Sequence, residues 1–164
     1  AGRISGLPVP LPVRPVKGQI LLMESPVLPV HVLQHHTVYL VPRRPEGRIA
    51  VGASVEEAGF DTRTTTGAVG SLIAAGIRLF PPLKDARFLE AQAGLRPGTP
   101  DDLPVLGETP LKGLLLAAGH FRKGILLAPA TARVIADLAG GKAPPVPLER
   151  YHVGRFADAR VLQR

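Results

Sequence analysis

The sequence predicts an α+β fold, in which a mostly antiparallel sheet with one long helix precedes a strand–turn–helix unit. Short apolar or alternating runs separated by Pro and Gly dominate the first half of the chain, which is typical of strands joined by turns. Apolar and small residues recur at helical spacing in two segments, near residues 66–80 and 125–139. Strands followed by a helix, and then by a βα unit of different character, favour α+β over alternating βαβ units.

The first residues predict an extended connector and a strand. Residues 1–15 carry prolines at alternating distances, which exclude a helix. Residues 16–23 predict a strand with Gly18 as a bulge or close-approach point. In residues 30–36, His31 and His35 have the spacing of two metal ligands on a helix, but no third ligand is near. A solvated strand or loop is therefore the favoured interpretation.

A hairpin and a helix are predicted next. Residues 37–42 and 48–54 predict two strands joined by a Pro- and Gly-containing turn, and Tyr39 lies in the first strand. Residues 61–66 offer N-cap candidates for a helix that ends near Phe80, before two prolines. Gly70 and Gly76 lie within this helix and each weakens it by about 1 kcal/mol relative to Ala, so tertiary packing is needed to hold the helix.

The helix is followed by a strand and a turn. Residues 84–93 alternate and predict a strand that leads into a Gly- and Pro-bounded turn carrying Arg96. Because Pro97 follows it, Arg96 is expected to have an extended backbone. A guanidinium on a rigid turn suits a carboxylate, although a surface arginine fits the same pattern.

The chain is organised around residues 94–140, which predict a loop, a buried strand, a turn and a helix. The apolar run 114–118 is typical of a strand covered on both faces. Gly119 and Gly124 bracket the turn, and the helix that follows has a small-residue face: Ala128, Ala132, Ile135, Ala136 and Ala139. The free N–H groups at its start suit an anion or a polarised carbonyl, whereas an ordinary packing unit fits the spacing equally well.

Composition narrows the function classes. The 164 residues carry a net charge of +7 and no Cys, which removes disulfides, thiolate metal sites and cysteine nucleophiles. The basic residues are scattered and lack adjacent aromatic runs, so nucleic acid is not an expected partner. No apolar run reaches the length of a membrane helix and no signal peptide is recognisable, so no membrane association and a cytoplasmic location are expected.

The motifs GLRPGTPDDLPVLG and GHFRKGILLAPATARVIADL, with VRPVKGQ and VYLVPRR upstream, carry a family resemblance. They resemble the glycine oxidase branch of the D-amino acid oxidase-like FAD amine oxidoreductases over residues 11–140. The resemblance implies FAD as cofactor and a small amino acid as substrate, oxidised to an imine that is hydrolysed while oxygen or another acceptor takes the electrons. It also implies a role in thiamine biosynthesis, and a homo-oligomer is left open.

Site residues follow from the same resemblance. Arg96 matches the arginine that binds the substrate carboxylate, and Tyr39 and Arg122 match residues that line the same pocket. The turn along the flavin corresponds to eight consecutive residues: Gly119, His120, Phe121, Arg122, Lys123, Gly124, Ile125 and Leu126. No acid–base residue and no metal ligand is implied. Gln92 replaces a usual tryptophan, and Lys123 a usual asparagine, which changes pocket packing and adds a charge.

The resemblance also implies domain boundaries. The chain contains no G-x-G-x-x-G after a strand, the backbone cradle for the FAD pyrophosphate. Residues 1–14 are thus expected to connect to an FAD-binding half, 15–96 to form the substrate-binding domain, 97–140 to complete the FAD-binding domain, and 141–164 to form a tail. A sarcosine oxidase, a D-amino acid dehydrogenase and a non-catalytic fragment without FAD remain as alternatives.

Overall fold

A computed structural model describes residues 11–36 and 38–156 of the chain. These residues form two compact units, one from Val16 to Leu95 and the other from the described residues on either side of it. Most of the predicted connector 1–14 lies outside the described residues. The functional assignment of each unit stays a prediction.

A five-stranded sheet forms the first unit, and it confirms the predicted α+β class. Its strands are β1 (Arg14–Glu24), β2 (Leu33–His35), β3 (Val38–Arg43), β4 (Arg48–Gly52) and β5 (Arg87–Gly98). They lie in the order β2-β3-β4-β1-β5, and the pairs β2–β3, β3–β4 and β4–β1 are antiparallel. The predicted strand 84–93 was misplaced: Pro81–Asp85 form a 3-10 turn, and β5 continues through the predicted turn at Arg96.

The two faces of this sheet differ. One face carries Leu21, Leu40 and Val51, which pack against the helix in a single apolar core. The opposite face, called here the Tyr39 face, follows from the strand alternation and register. It carries Tyr39, Val41 and Arg43 of β3, their partners Gly52, Ala50 and Arg48 of β4, and Ile20 and Leu22 of β1.

Helix α1 (Thr66–Leu79), which the sequence predicts, covers the first face. Thr65 caps it by accepting a hydrogen bond from the Ala68 N–H at 3.4 Å. The glycine that weakens this helix has a packing reason, because a Cβ on Gly76 would lie 3.2 Å from both Leu83 Cδ1 and Val51 Cγ1. A side chain there would require Leu83 and Val51 to shift by a few tenths of an ångström, so Gly76 allows a closer approach of α1 to the sheet.

The second unit contains β6 (Val105–Glu108), β7 (Leu115–Ala118), α2 (Gly124–Ala139) and a 3-10 turn, Val153–Phe156. Strands β6 and β7 form an antiparallel pair, and β6 lies in a segment predicted to be a loop. Among the described residues, the core of this unit consists of Leu11, Val105, Val153 and Phe156 with their half-buried neighbours. None of the described helices has the length and apolar character to cross a membrane.

Burial in the second unit differs between its strand and its helix. Strand β7 is half-buried, since its only ladder partner among the described residues is β6, and a strand covered on both faces stays a prediction for the complete protein. Helix α2 exposes the alanines of the predicted small-residue face and buries Val134 and Asp137. A spacing pattern identifies a helix, but it cannot say which face has a neighbour.

The segment after α2 is anchored. The Arg155 guanidinium donates to Asp101 Oδ2 and to the carbonyls of Leu103 and Tyr151, each at 2.8 Å. It also stacks on the Phe156 ring at 4.1 Å. These contacts tie residues 151–156 to the loop before β6, so part of the predicted tail belongs to the core.

Candidate functional site

A sharp turn between β7 and α2 forms the centre of the candidate site. Gly119 has a φ of +75°, and a Cβ added there would lie 2.5 Å from Thr99 Cγ2. Thr99 is fully buried, and its hydroxyl donates to the Leu103 carbonyl at 2.8 Å, so it has little freedom to move. Position 119 therefore requires glycine for conformation and for space.

Backbone hydrogen bonds hold the turn in place. The Phe121 N–H donates to the Pro97 carbonyl at the end of β5 at 2.9 Å, and the Lys123 N–H donates to the His120 carbonyl at 2.9 Å. Phe121 has a φ of +49°, which is unusual for a residue with a side chain. The link to Pro97 joins the two quoted motifs in space, and their separation in sequence gave no sign of it.

The first turn of α2 is uncapped. Lys123 occupies the N-cap position and makes no side-chain capping bond. The first N–H groups of any helix lack intrahelical acceptors, so this end is a partial positive charge with free donors. Beside it, Ile125 is 95% exposed and Leu126 is 78% exposed. Free donors next to exposed apolar side chains suit a flat, largely apolar group with an electron-rich edge.

His120 braces the turn from the inside. Its Nε2 lies 2.9 Å from Thr131 Oγ1, two turns into α2, and burial lowers the pKa of the imidazole. A neutral ring is therefore favoured near pH 7, which limits His120 to orienting the turn rather than adding charge. Gly124 meets only His120 Cβ at 3.7 Å, so its lack of a side chain is not needed for packing within this chain.

The three predicted substrate residues are in different surroundings. Arg96 lies within β5, half-buried and extended as Pro97 predicts, but not in a turn. Arg122 is exposed at the tip of the turn, in the same unit. Tyr39 belongs to the other unit, where its ring covers Gly52: a Cβ on Gly52 would lie 2.5 Å from Tyr39 Cζ. The structure thus gathers Gly119–Leu126 into one turn, and Tyr39 is held on its own sheet.

A buried polar network in the first unit was not predicted. Lys17 is 1% exposed, with its Nζ 3.7 Å from Glu56 Oε2 and 3.9 Å from Asp61 Oδ2. Gln19 is fully buried; it accepts a hydrogen bond from the Thr65 N–H at 2.9 Å and donates to Glu56 Oε1 at 2.9 Å.

The network positions the start of α1. A hydrogen bond from Ser54 is the main cause that lowers the pKa of Glu56, which keeps this carboxylate charged opposite Lys17. Polar residues at alternate positions of an otherwise buried strand were the available sequence signal. Within the described part of the chain, no group of three His, Cys, Asp or Glu side chains is arranged to hold a metal ion.

The chain is similar to several known proteins. The chain is 44% identical over 154 residues to the "Bifunctional protein ThiO/ThiG" of Trichormus variabilis, covering 90% of the chain and 23% of that protein. It is 44% identical over 137 residues to the "Glycine oxidase" of Pseudomonas aeruginosa, covering 82% of the chain and 37% of that protein. The crystal structure of glycine oxidase from Geobacillus kaustophilus superimposes with a TM-score of 0.84 at 36% identity.

That superposition covers 88% of the chain and 40% of the solved structure, so the chain spans well under half of each of these proteins. The sequence profile of the FAD dependent oxidoreductases matches residues 1–138, most of the chain. Because this match covers more than half of the chain, the chain belongs to the FAD dependent oxidoreductase (DAO) family.

Proposed function

We propose that the chain is the C-terminal part of a flavoenzyme that oxidises glycine or a similarly small amino acid. The observation that carries the proposal is the Gly119–Leu126 turn, which presents free helix N–H donors beside exposed apolar side chains. Relatives named glycine oxidase support the substrate class. A role in thiamine biosynthesis and a cytoplasmic location are part of the same proposal.

The residues of the turn fit a flavin. Gly119 and Gly124 keep side chains away from the backbone, Ile125 and Leu126 offer apolar surface, and the uncapped N–H groups suit the carbonyl-bearing edge of the ring. Bound FAD would supply hydride removal from the substrate α-carbon and transfer of the electrons to oxygen or another acceptor. The start of α2 would stabilise negative charge on the ring system.

The other site residues would bind and orient the substrate. Arg96 would hold the substrate carboxylate through two parallel N–H···O bonds, which fix both its position and its angle. Tyr39 and Arg122 are proposed as further substrate-binding residues. His120 keeps the turn in place through Thr131. Because a small substrate has few other groups that the protein can bind, its orientation depends on these contacts.

The test uses the complete protein loaded with FAD. Glycine, sarcosine and D-alanine are added separately without oxygen, and flavin absorbance is followed. Glycine should reduce the flavin with the highest second-order rate constant, and peroxide should form when oxygen is admitted. A preference for sarcosine would favour a sarcosine oxidase, and a preference for D-alanine without peroxide a D-amino acid dehydrogenase. A protein that binds no FAD would overturn the proposal.

A further inference from the structure

A cavity of about 310 Å³ lies on the Tyr39 face of the five-stranded sheet. Ile20, Leu22 and Ala50 form an apolar part of its lining, on the side of the sheet opposite α1. Four charged side chains also line it: Arg43, Glu46, Arg48 and Glu90. The cavity is at the lower end of the size range of small-molecule sites, and it combines an apolar lining with a few polar groups as such sites do.

The two arginines are arranged in an unusual way. Arg43 and Arg48 are direct cross-strand partners, and like charges in that position destabilise a sheet. Glu24, the partner of Arg48 on its other side, has its carboxylate bound by Arg87 with Arg87 Nε at 2.8 Å. In residues 11–36 and 38–156, none of the four charged residues around the cavity makes an ion pair or a side-chain hydrogen bond.

These charges define a ligand class. Two neighbouring guanidinium groups without a counter-ion suit a carboxylate, because each can donate parallel N–H···O bonds. Glu46 and Glu90 would repel a multiply charged anion such as a phosphate ester, but they suit an ammonium group. A small zwitterion satisfies both signs at once. The apolar lining of Ile20 and Leu22 leaves room for a short aliphatic part.

The cavity lies on the same sheet face as Tyr39 but at a distance from it. Tyr39 and Arg43 are four residues apart on β3, or about 13 Å along an extended strand. A small amino acid bound between the arginines therefore could not reach Tyr39. The structure points to a second amino-acid site: we propose that Arg43 and Arg48 bind the carboxylate of a small zwitterionic amino acid, with Glu46 and Glu90 facing its ammonium group, before it moves to the reaction site.

This inference rests on the proposed function, because it assigns the same substrate class to the second site. The test compares the complete FAD-loaded protein with its Arg43→Gln/Arg48→Gln variant. A matched control, Lys142→Gln/Arg150→Gln, removes two exposed charges from the other unit. Flavin reduction by glycine is measured by stopped flow without oxygen. The rate constant at low glycine should fall about tenfold in the arginine variant, because about 1.4 kcal/mol of carboxylate binding at the second site is lost, while the limiting rate at saturation stays within twofold.

The control variant should change neither rate by more than about twofold. Equal losses in both variants would mean that only net charge matters, and no loss in the arginine variant would mean that the cavity plays no part. Either result overturns the inference. If the arginine variant is less stable by thermal melting, Glu90→Gln replaces it, with weaker low-glycine reduction expected and unchanged reduction contradicting the site.

A failure of the proposed function can be told apart from a failure of this site. If glycine reduces no flavin even in the parent protein, binding of glycine is followed instead by calorimetry. Heat of binding that is lost in Arg43→Gln/Arg48→Gln, but kept in the control, supports the second site without any reaction. Binding that is absent from the parent, or unchanged in the arginine variant, overturns it.

Discussion

Replacing Gly119 and Gly124, which bracket the turn before α2, one at a time should separate a folding requirement from a binding requirement. At position 119 an alanine Cβ would lie 2.5 Å from Thr99 Cγ2 with φ at +75°. The left-handed backbone costs about 1–2 kcal/mol, and overpacking a buried contact about 1–3 kcal/mol. Gly119→Ala should therefore lower the free energy of unfolding by about 2–5 kcal/mol.

At position 124, replacement by alanine should leave the stability of the apoprotein nearly unchanged but weaken FAD binding. The nearest atom to an added Cβ is His120 Cβ at 3.7 Å, an ordinary contact. The apoprotein should keep its free energy of unfolding within about 1 kcal/mol, since alanine is the better helix former. The methyl group would nevertheless stand where the flavin is proposed to approach, and a loss of about 1.4 kcal/mol of contact weakens FAD binding about tenfold.

Both variants would be made in the complete protein, with urea unfolding of the apoprotein and FAD titration followed by flavin fluorescence. Gly70→Ala in α1 is the matched control, because an added Cβ there meets nothing within 4 Å. It should stabilise α1 by up to about 1 kcal/mol and leave FAD binding unchanged. Unfolding of Gly119→Ala like the parent would refute the steric argument. Parental FAD affinity in Gly124→Ala would refute the position of the flavin.

Four further predictions follow from residues described above. Arg96→Ala should raise KM for glycine strongly, because about 2–5 kcal/mol of binding is lost, and Arg96→Lys should recover only part of this loss. A kcat/KM of Arg96→Ala within a few-fold of the parent would contradict the carboxylate role. Arg63 lowers the pKa of Asp61 to about 2, so the stability from this pair is present above pH 3.8 and is lost as pH falls through about 2. Asp61→Asn should reduce the fall in melting temperature between pH 4 and pH 2, and an unchanged fall would be inconsistent with it. Burial lowers the pKa of His120 below 6.5, so its protonation opposes folding as pH falls; His120→Gln should flatten the pH dependence of melting between pH 7 and pH 5, and an unaltered slope would count against it. The 164-residue chain alone should bind FAD no tighter than on the order of tens of micromolar, because it lacks the pyrophosphate glycines; a stoichiometric yellow monomer after gel filtration would disprove this.

The sequence was most informative where local patterns decide the structure. Thr65 and the prolines after Phe80 marked the ends of α1, and Gly119 marked the turn, because capping and left-handed backbone depend on single residues. The strand bounds shifted at Arg96, where alternation continued past a Gly that was expected to end the strand. Glycine allows a turn, but a neighbouring strand can hold it extended.

Contacts between distant segments could not be read from spacing. The hydrogen bond from Phe121 to Pro97 joins residues whose separation in sequence follows no helical or strand periodicity. The same is true of the polar network around Lys17. The exposed face of α2 could not be predicted for a related reason: small residues at helical spacing look the same whether or not a neighbour covers them. Whether a helix face is buried depends on the assembled fold, whereas the sequence pattern shows only that the face could be buried.

The strand order has a consequence for how this chain acquires its structure. The first unit is one continuous segment, Val16–Leu95, whereas the second is split around it. The continuous segment begins within β1 and ends within β5, and these two strands are neighbours in one sheet. Once that sheet has formed, the two ends of the continuous segment are close together. The two halves of the second unit can then meet without a further loss of loop entropy. We therefore expect the inserted unit to fold first during synthesis, and a peptide linker in place of Val16–Leu95 to have little effect on Val105–Phe156.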